Sequence, residues 1–206
     1  MSQSASGWLA FIFQQSLNLN AVPSDWSKAL ITAVFKKDNK SLPSNYRPIS
    51  LTSICCKVME HVVLSHMAKH LSKHNIIIDE QHGFRQRFSC ETQLITTIHD
   101  WAKSINVRSQ TDAILLDFSK AFDSVPHQRL LLKLDYYGIR GNMLLWIKAL
   151  LSNRSQLVSI NGTQSSPKPV LSGVPQGSIL GPVLFLLYIN DITKCINANL
   201  RLFADD

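Results

Sequence analysis

The stretch Asp112-Ala-Ile-Leu-Leu-Asp-Phe118 constrains this chain more than any other. Its apolar interior does not alternate and is bounded by polar residues, which predicts a strand buried on both faces. Asp117 stands at the end of that strand, where an ionised carboxylate is costly to bury unless it is paired or holds a cation. Asp205 and Asp206 close another predicted strand, residues 200–203. If the two strands are neighbours, three carboxylates meet at one spot. Like charges that close repel, and a divalent cation relieves the repulsion. Hard oxygen donors suit Mg²⁺, and two such ions can activate an attacking hydroxyl and stabilise a leaving pyrophosphate. Strand-end aspartates also act as caps and turn formers, and the carboxylates alone leave that alternative open.

Around this centre the pattern predicts helices over residues 7–17, 53–73, 91–105, 127–137, 142–151 and 179–189. The long second helix places Ile54, Val58, Val62, Met67 and Leu71 on its apolar side, and the last is apolar on nearly all sides, as a buried helix should be. Further strands are expected at 29–35, 156–160 and 170–178, with Asn161-Gly162 as a hairpin turn. Val22-Pro-Ser-Asp-Trp reads as a turn with Ser24 or Asp25 as a helix cap, residues 36–48 as a basic loop, and residues 81–89 as a loop with two arginines. Helices and strands mix without regular alternation, so the fold class is α+β with a mostly antiparallel sheet.

Charge narrows the partners. The chain of 206 residues carries a formal +7, with Lys plus Arg 21 against Asp plus Glu 14. Residues 25–110 hold 12 basic and 7 acidic residues and residues 111–206 hold 9 and 7, so the excess is concentrated in the first part. Such a balance suits a polyanion. With hydrophobic residues at 45% and charged residues at 17%, a disordered or fibrous chain is excluded. Cys55, Cys56, Cys90 and Cys195 form no C-x-x-C pair and read as reduced thiols of an intracellular protein. The early apolar run, residues 8–13, is too short for a membrane span and has no basic leader, so neither signal peptide nor anchor is expected, and two Asn-x-Ser/Thr sequons carry no meaning. His66, His70 and His74 share a helix face; this spacing can bind zinc, but a solvated face is the expectation. Asp191 reads as a turn residue.

Several motifs follow in order: Asn45-Tyr-Arg-Pro-Ile-Ser-Leu51, Gly83-Phe-Arg85, Asp117-Phe-Ser-Lys-Ala-Phe-Asp123 with Val125-Pro-His, Gly173-Val-Pro-Gln-Gly-Ser-Ile-Leu-Gly-Pro182, and Phe203-Ala-Asp-Asp206. The ordered set resembles the reverse transcriptase domain of non-long-terminal-repeat (LINE-type) retrotransposons, from about Trp26 to the end. The resemblance implies a single domain with a right-hand polymerase fold: a lead-in at 1–25, helical and β fingers at 26–110, and a partial palm with an antiparallel sheet at 111–206, the thumb absent. It implies an RNA-directed DNA polymerase, joining deoxynucleotides to a primer 3′-hydroxyl. The partners would be an RNA template, a DNA primer and dNTPs, with no membrane, and the location intracellular, nuclear or cytoplasmic. Asp117 and Asp205 match the family's catalytic aspartates and would hold two Mg²⁺ ions, or Mn²⁺ in their place. Asp206 matches the second aspartate of the pair, and the Phe118 carbonyl would add a ligand.

Phe122 falls where the family places an aromatic beneath the sugar, excluding a ribose 2′-hydroxyl. Gln176 and Gly177 resemble the loop over the incoming nucleotide and template. Arg47 and one of Lys36 and Lys37 would hold the triphosphate. Arg85 and Arg87 would lie near template and primer, touching phosphates without reading sequence. Asp123 either supports this motif or caps a helix.

The sequence departs from the family's pattern by stopping after the Phe-Ala-Asp-Asp motif, so an unpaired sheet edge is expected. Ala33 and Asn39 stand where related sequences often have Pro and Gly. A catalytically inactive remnant that at most binds nucleic acid is therefore an alternative. An RNA-dependent RNA polymerase would place an acid at position 122, where this chain has Phe.

Overall fold

A computed structural model describes residues 3–206 and shows what the chain makes of these patterns. β1 (Lys28–Phe35) is the central strand of the sheet. Its antiparallel neighbour β2 (Tyr46–Leu51) sets Arg47 opposite Val34 and Ser50 opposite Ile31. On the other side β3 (Arg154–Ile160) runs parallel, Leu30 facing Leu157. β4 (Thr163–Gln164) and β5 (Lys168–Val170) then pair antiparallel with β3. The β3–β4 hairpin turns at Asn161 and Gly162, both at positive φ (50° and 82°), as a two-residue turn matched to strand twist requires. The sheet is mostly antiparallel and the class α+β, as the sequence indicates.

The helices are α1 (Gln3–Asn18), α2 (Ile54–Lys73), α3 (Cys90–Asn106), α4 (His127–Tyr136), α5 (Gly141–Leu151) and α6 (Gly181–Ile189). Ser89 and Thr92 form a reciprocal capping box that starts α3. One apolar cluster joins Met59, Val63 and Met67 of α2 to Leu130 and Leu134 of α4, Trp146 and Ile147 of α5, and Leu184, Phe185 and Leu187 of α6. Each such side chain contributes roughly 1.5–3 kcal/mol by leaving water. α1 docks through Phe13, whose ring meets Trp26 edge-on at 6.0 Å, and through Ser16, whose hydroxyl accepts from Trp146 Nε1 at 2.9 Å.

Several expectations need correction. Residues 112–118 form no strand: they have no regular secondary structure and are exposed, Leu115 to 95%. A ladder needs a partner on each edge it uses: β1 and β3 are already flanked on both sides, and the segment pairs with none of the edge strands. The strand expected at 170–178 is only β5, ending at Val170, and the rest is loop. Residues 200–203 make a single parallel bridge, Gln81 to Leu202. The basic loop is shorter than expected, because Arg47 and Pro48 belong to β2, an edge strand where proline costs no ladder bond. Neither Ser24 nor Asp25 caps a helix; a short 3-10 turn over Ser24–Ser27 begins after Pro23. α2 buries Cys56, Met59, Glu60, Val63, Met67 and Leu71, while Ile54 and Val62 face solvent.

Cys55, Cys56 and Cys90 are free thiols, and the Cys195 side chain lies outside those described. His70 donates through Nε2 to the Tyr137 carbonyl at 2.8 Å and lies beside His74, while His66 is exposed. Asp191 is held by the Lys133 ammonium, which also donates to the Tyr188 carbonyl. No helix among the described residues is long and apolar enough to cross a membrane.

Candidate active site

Residues 203–206 form a tight turn closed on itself: Phe203 N–H donates to the Asp206 backbone oxygen at 2.8 Å and Asp206 N–H to the Phe203 carbonyl at 3.2 Å. Ala204 sits at φ 60° in this turn, and Asp205, half-buried, follows it. Burial pushes the Asp205 carboxyl above its ordinary range, and the charges of Asp206 and Asp117 push the same way. Asp117 is therefore within electrostatic reach of Asp205, although it rides on the exposed segment 112–118 rather than on a paired strand. Among the described residues no group of three His, Cys, Asp or Glu side chains converges tightly enough to enclose a metal ion. The donor chemistry suits a hard divalent cation, and the mutual repulsion of three carboxylates is what such an ion relieves.

The turn is anchored from residues 80–83. Leu202 N–H donates to the Glu80 carbonyl at 3.0 Å and His82 N–H to the Leu202 carbonyl at 2.9 Å. The Gln81 side chain, 2% exposed, takes both backbone groups of Ala204: Oε1 accepts its N–H at 2.9 Å and Nε2 donates to its carbonyl at 3.2 Å. Gln93 Nε2 donates to the Glu80 and Leu202 carbonyls from α3. Neither glutamine stood out in the sequence, since a lone Gln, in a loop like Gln81 or on a helix like Gln93, carries no periodic or motif signal.

The segment 172–180 is suspended from three elements. Ser172 Oγ donates to the Asp123 carbonyl at 2.9 Å, Gly173 N–H to Val125, Val174 N–H to Phe122, and His127 Nε2 to the Gly173 carbonyl. Gln176 Nε2 donates to Asp123 Oδ1 at 3.0 Å, and the Gln176 carbonyl accepts from Ser50 N–H of β2 at 2.9 Å. Asp123 thus contacts the loop and does not cap a helix. Ser50 also explains Gly177: at φ 103°, a Cβ there would lie 2.8 Å from the Ser50 carbonyl oxygen. At the far end, Glu60 Oε2 accepts from Ile179 and Leu180 N–H at 2.8 and 2.9 Å. Glu60 was also missed, although an acid flanked by Met59 and Val63 on an apolar helix face is a legible sign of a buried, partnered carboxylate.

Phe122 is half-buried, stacked on Phe185 at 4.3 Å and edge-on to Phe84 at 6.1 Å. Phe118 is exposed. Lys36, Lys37 and Arg47 are exposed near the β1–β2 turn, and Arg47 lies three residues before Ser50 on the strand that holds the loop. Arg85 is turned inward: its guanidinium donates to the Ile78 and Gln81 carbonyls, pairs with Asp79 at 3.6 Å and covers the Phe88 ring. Arg87 is exposed. The structure thus joins Gln176 to Asp123 and β2, while the charges of Asp117 and Asp206 act on Asp205.

Comparison with known proteins matches residues 34–206 to the family model described as "Reverse transcriptase (RNA-dependent DNA polymerase)". The chain is 30% identical over 198 residues to the "Probable RNA-directed DNA polymerase from transposon BS" of Drosophila melanogaster, covering 93% of this chain and 21% of that protein. It is 31% identical over 186 residues to the "RNA-directed DNA polymerase from mobile element jockey" of the same organism, covering 90% and 20%. With the "Probable RNA-directed DNA polymerase from transposon X-element" it shares 28% over 211 residues, covering 97% and 22%. The chain therefore spans about a fifth of the length of these relatives. The ordered motifs, the family match and the relatives agree, and this chain belongs to the reverse transcriptase family, in the group carried by non-long-terminal-repeat retrotransposons.

Proposed function

We propose that this chain carries the polymerising centre of an RNA-directed DNA polymerase. A primer 3′-oxygen attacks the α-phosphorus of a dNTP, the new P–O bond forms as the bond to the β-phosphate breaks, and pyrophosphate leaves. The observation that carries the reading is the ordered motif set, Asp117, Asp205 and Asp206 among its residues, together with the family match over residues 34–206. Asp117 and Asp205, with the Phe118 carbonyl, would hold two Mg²⁺ ions, and Asp206 would add negative charge beside them. Divalent cations bound there would lower the cost of charge on the attacking and leaving oxygens.

The chain's own groups bind and orient. Residues 26–110 act as fingers and 111–206 as palm. Arg47 with Lys36 or Lys37 receives the triphosphate, guanidinium as a fork and ammonium as a point charge. Gln176 and Gly177, tied to Asp123 and Ser50, lie over the nucleotide. The Phe122 ring, backed by Phe185, rejects a 2′-hydroxyl by steric exclusion. Arg85 shapes the segment from which Arg87 meets template or primer phosphates.

Incorporation of dTMP on poly(rA)·oligo(dT) with Mg²⁺ tests the reading, with loss expected for Asp117→Ala and Asp205→Ala. Activity surviving either change refutes the site. Phe122→Val should admit ribonucleotides, and unchanged rejection removes Phe122 from sugar selection. A second reading, nucleic-acid binding without polymerisation, is favoured by one observation, the unpaired exposed segment that carries Asp117. Binding of poly(rA)·oligo(dT) with no incorporation would establish it.

A further inference from the structure

We propose that Gln81 is the positioning residue for Asp205: its buried carboxamide grips both backbone groups of Ala204 and so fixes the turn that presents the Asp205 carboxylate. The inference rests on the reading of Asp205 as a metal-holding group. Gln81 lies more than 120 residues from the turn in sequence yet makes two direct bonds to it, Ala204 N–H to Oε1 at 2.9 Å and Nε2 to the Ala204 carbonyl at 3.2 Å. Oε1 accepts a third bond, from Gly83 N–H at 2.7 Å. The carboxamide thus does for Ala204 what a neighbouring strand would do, one donor and one acceptor in register.

Three further observations make the grip specific. The backbone runs beside it as a short parallel pairing through Gln81 and Leu202. Gly83 lies so close to Ala204 that a Cβ would collide with its nitrogen and lie 2.9 Å from its Cα. Ala204 is held at φ 60°, a conformation unfavourable for a residue with a Cβ unless its surroundings over-determine it. Without the carboxamide, the Ala204 N–H and carbonyl, both buried, would seek other partners, and the turn would shift. Asp205 is the next residue, so its carboxylate would move with it. An amide is needed here, since a carboxylate could accept from Ala204 N–H but could not donate to its carbonyl.

The test uses the whole chain, with Mn²⁺ as the probe. In ¹⁵N-labelled protein the Ala204 and Gly83 amides should exchange slowly, and fast exchange at Ala204 in the unsubstituted chain overturns the grip. In Gln81→Met, similar in length but without the bonds, both amides should lose protection by about 5–30-fold, as expected for one or two lost bonds of about 1 kcal/mol each. Amides of α5 should keep theirs. Mn²⁺ affinity followed by electron paramagnetic resonance should fall about tenfold in Gln81→Met and more in Asp205→Asn. If Asp205→Asn loses Mn²⁺ binding and Gln81→Met binds as the wild type does, the positioning role is refuted and the metal reading stands. If Asp205→Asn binds Mn²⁺ as well as the wild type, the metal reading fails and the positioning role with it. Should Gln81→Met not fold, Gln81→Asn, too short to reach Ala204, replaces it with the same expected losses.

Discussion

Replacing Glu60 by alanine should unfasten the loop that carries Gln176 and Gly177. Glu60 is 1% exposed on α2, and its Oε2 receives the N–H groups of Ile179 and Leu180 just before α6. A carboxylate there meets the positive end of the helix dipole as well as two donors. Oε1 accepts from Cys56 Sγ at 3.4 Å, and the buried guanidinium of Arg154 is within Coulombic reach. Truncation leaves two donors without a partner at roughly 1–3 kcal/mol each, and takes a negative charge from the reach of the buried Arg154 guanidinium. These losses overlap, so the expected total is about 4 kcal/mol, a large share of the roughly 5–15 kcal/mol that holds a domain together. Urea titration followed by tryptophan fluorescence measures it as a lower midpoint at constant slope. Glu60→Gln should lose about 1–2 kcal/mol, since its amide oxygen can still accept. Arg154→Met combined with Glu60→Gln should lose less than the separate changes added together. A Glu60→Ala midpoint within about 1 kcal/mol of wild type would refute the reasoning, because no arrangement of these contacts makes their loss so small.

Three other outcomes are expected. Burial and the neighbouring Glu60 push the Cys56 thiol up to about 12, so iodoacetamide at neutral pH should modify Cys55 and Cys90 in the folded chain and reach Cys56 only after denaturation, as peptide mass spectrometry would show. Gly177→Ala should lower the urea midpoint by the equivalent of about 1–3 kcal/mol, because φ 103° and the Ser50 carbonyl at 2.8 Å both oppose a Cβ; an unchanged midpoint counts against the contact. Burial, aided by Arg85 and Arg201, holds the His82 imidazole below its ordinary 6.5, so the fold favours the neutral ring. Its contribution is present above pH 6.5 and is lost as acid protonates the unfolded chain first, so the drop in urea midpoint from pH 7.5 to 5.5 should be smaller in His82→Gln than in wild type.

The helices and the hairpin could be read from the chain because their causes are local. An α-helix closes its own hydrogen bonds four residues apart, so the apolar spacing and the Gly138 and Gly141 breaks are enough to outline α4 and α5. Asn161-Gly162 carries its turn in its own backbone preferences. The family was legible for a different reason, the order of several motifs along the chain. Tertiary structure alone decided which side of α2 is buried, because the cluster of α4, α5 and α6 takes Met59 and Val63 and leaves Ile54 and Val62 in water. It also decided that residues 112–118 stay unpaired: a strand's hydrogen bonds come from another part of the chain, and hydrophobicity alone cannot bring that partner alongside. The contacts that place the candidate site, Gln81 on Ala204, Glu60 on Leu180 and Asp123 on Gln176, join residues 53 to 123 positions apart. A polar side chain that grips a distant backbone leaves no periodic mark in the sequence, so its role appears only when the fold brings the two together.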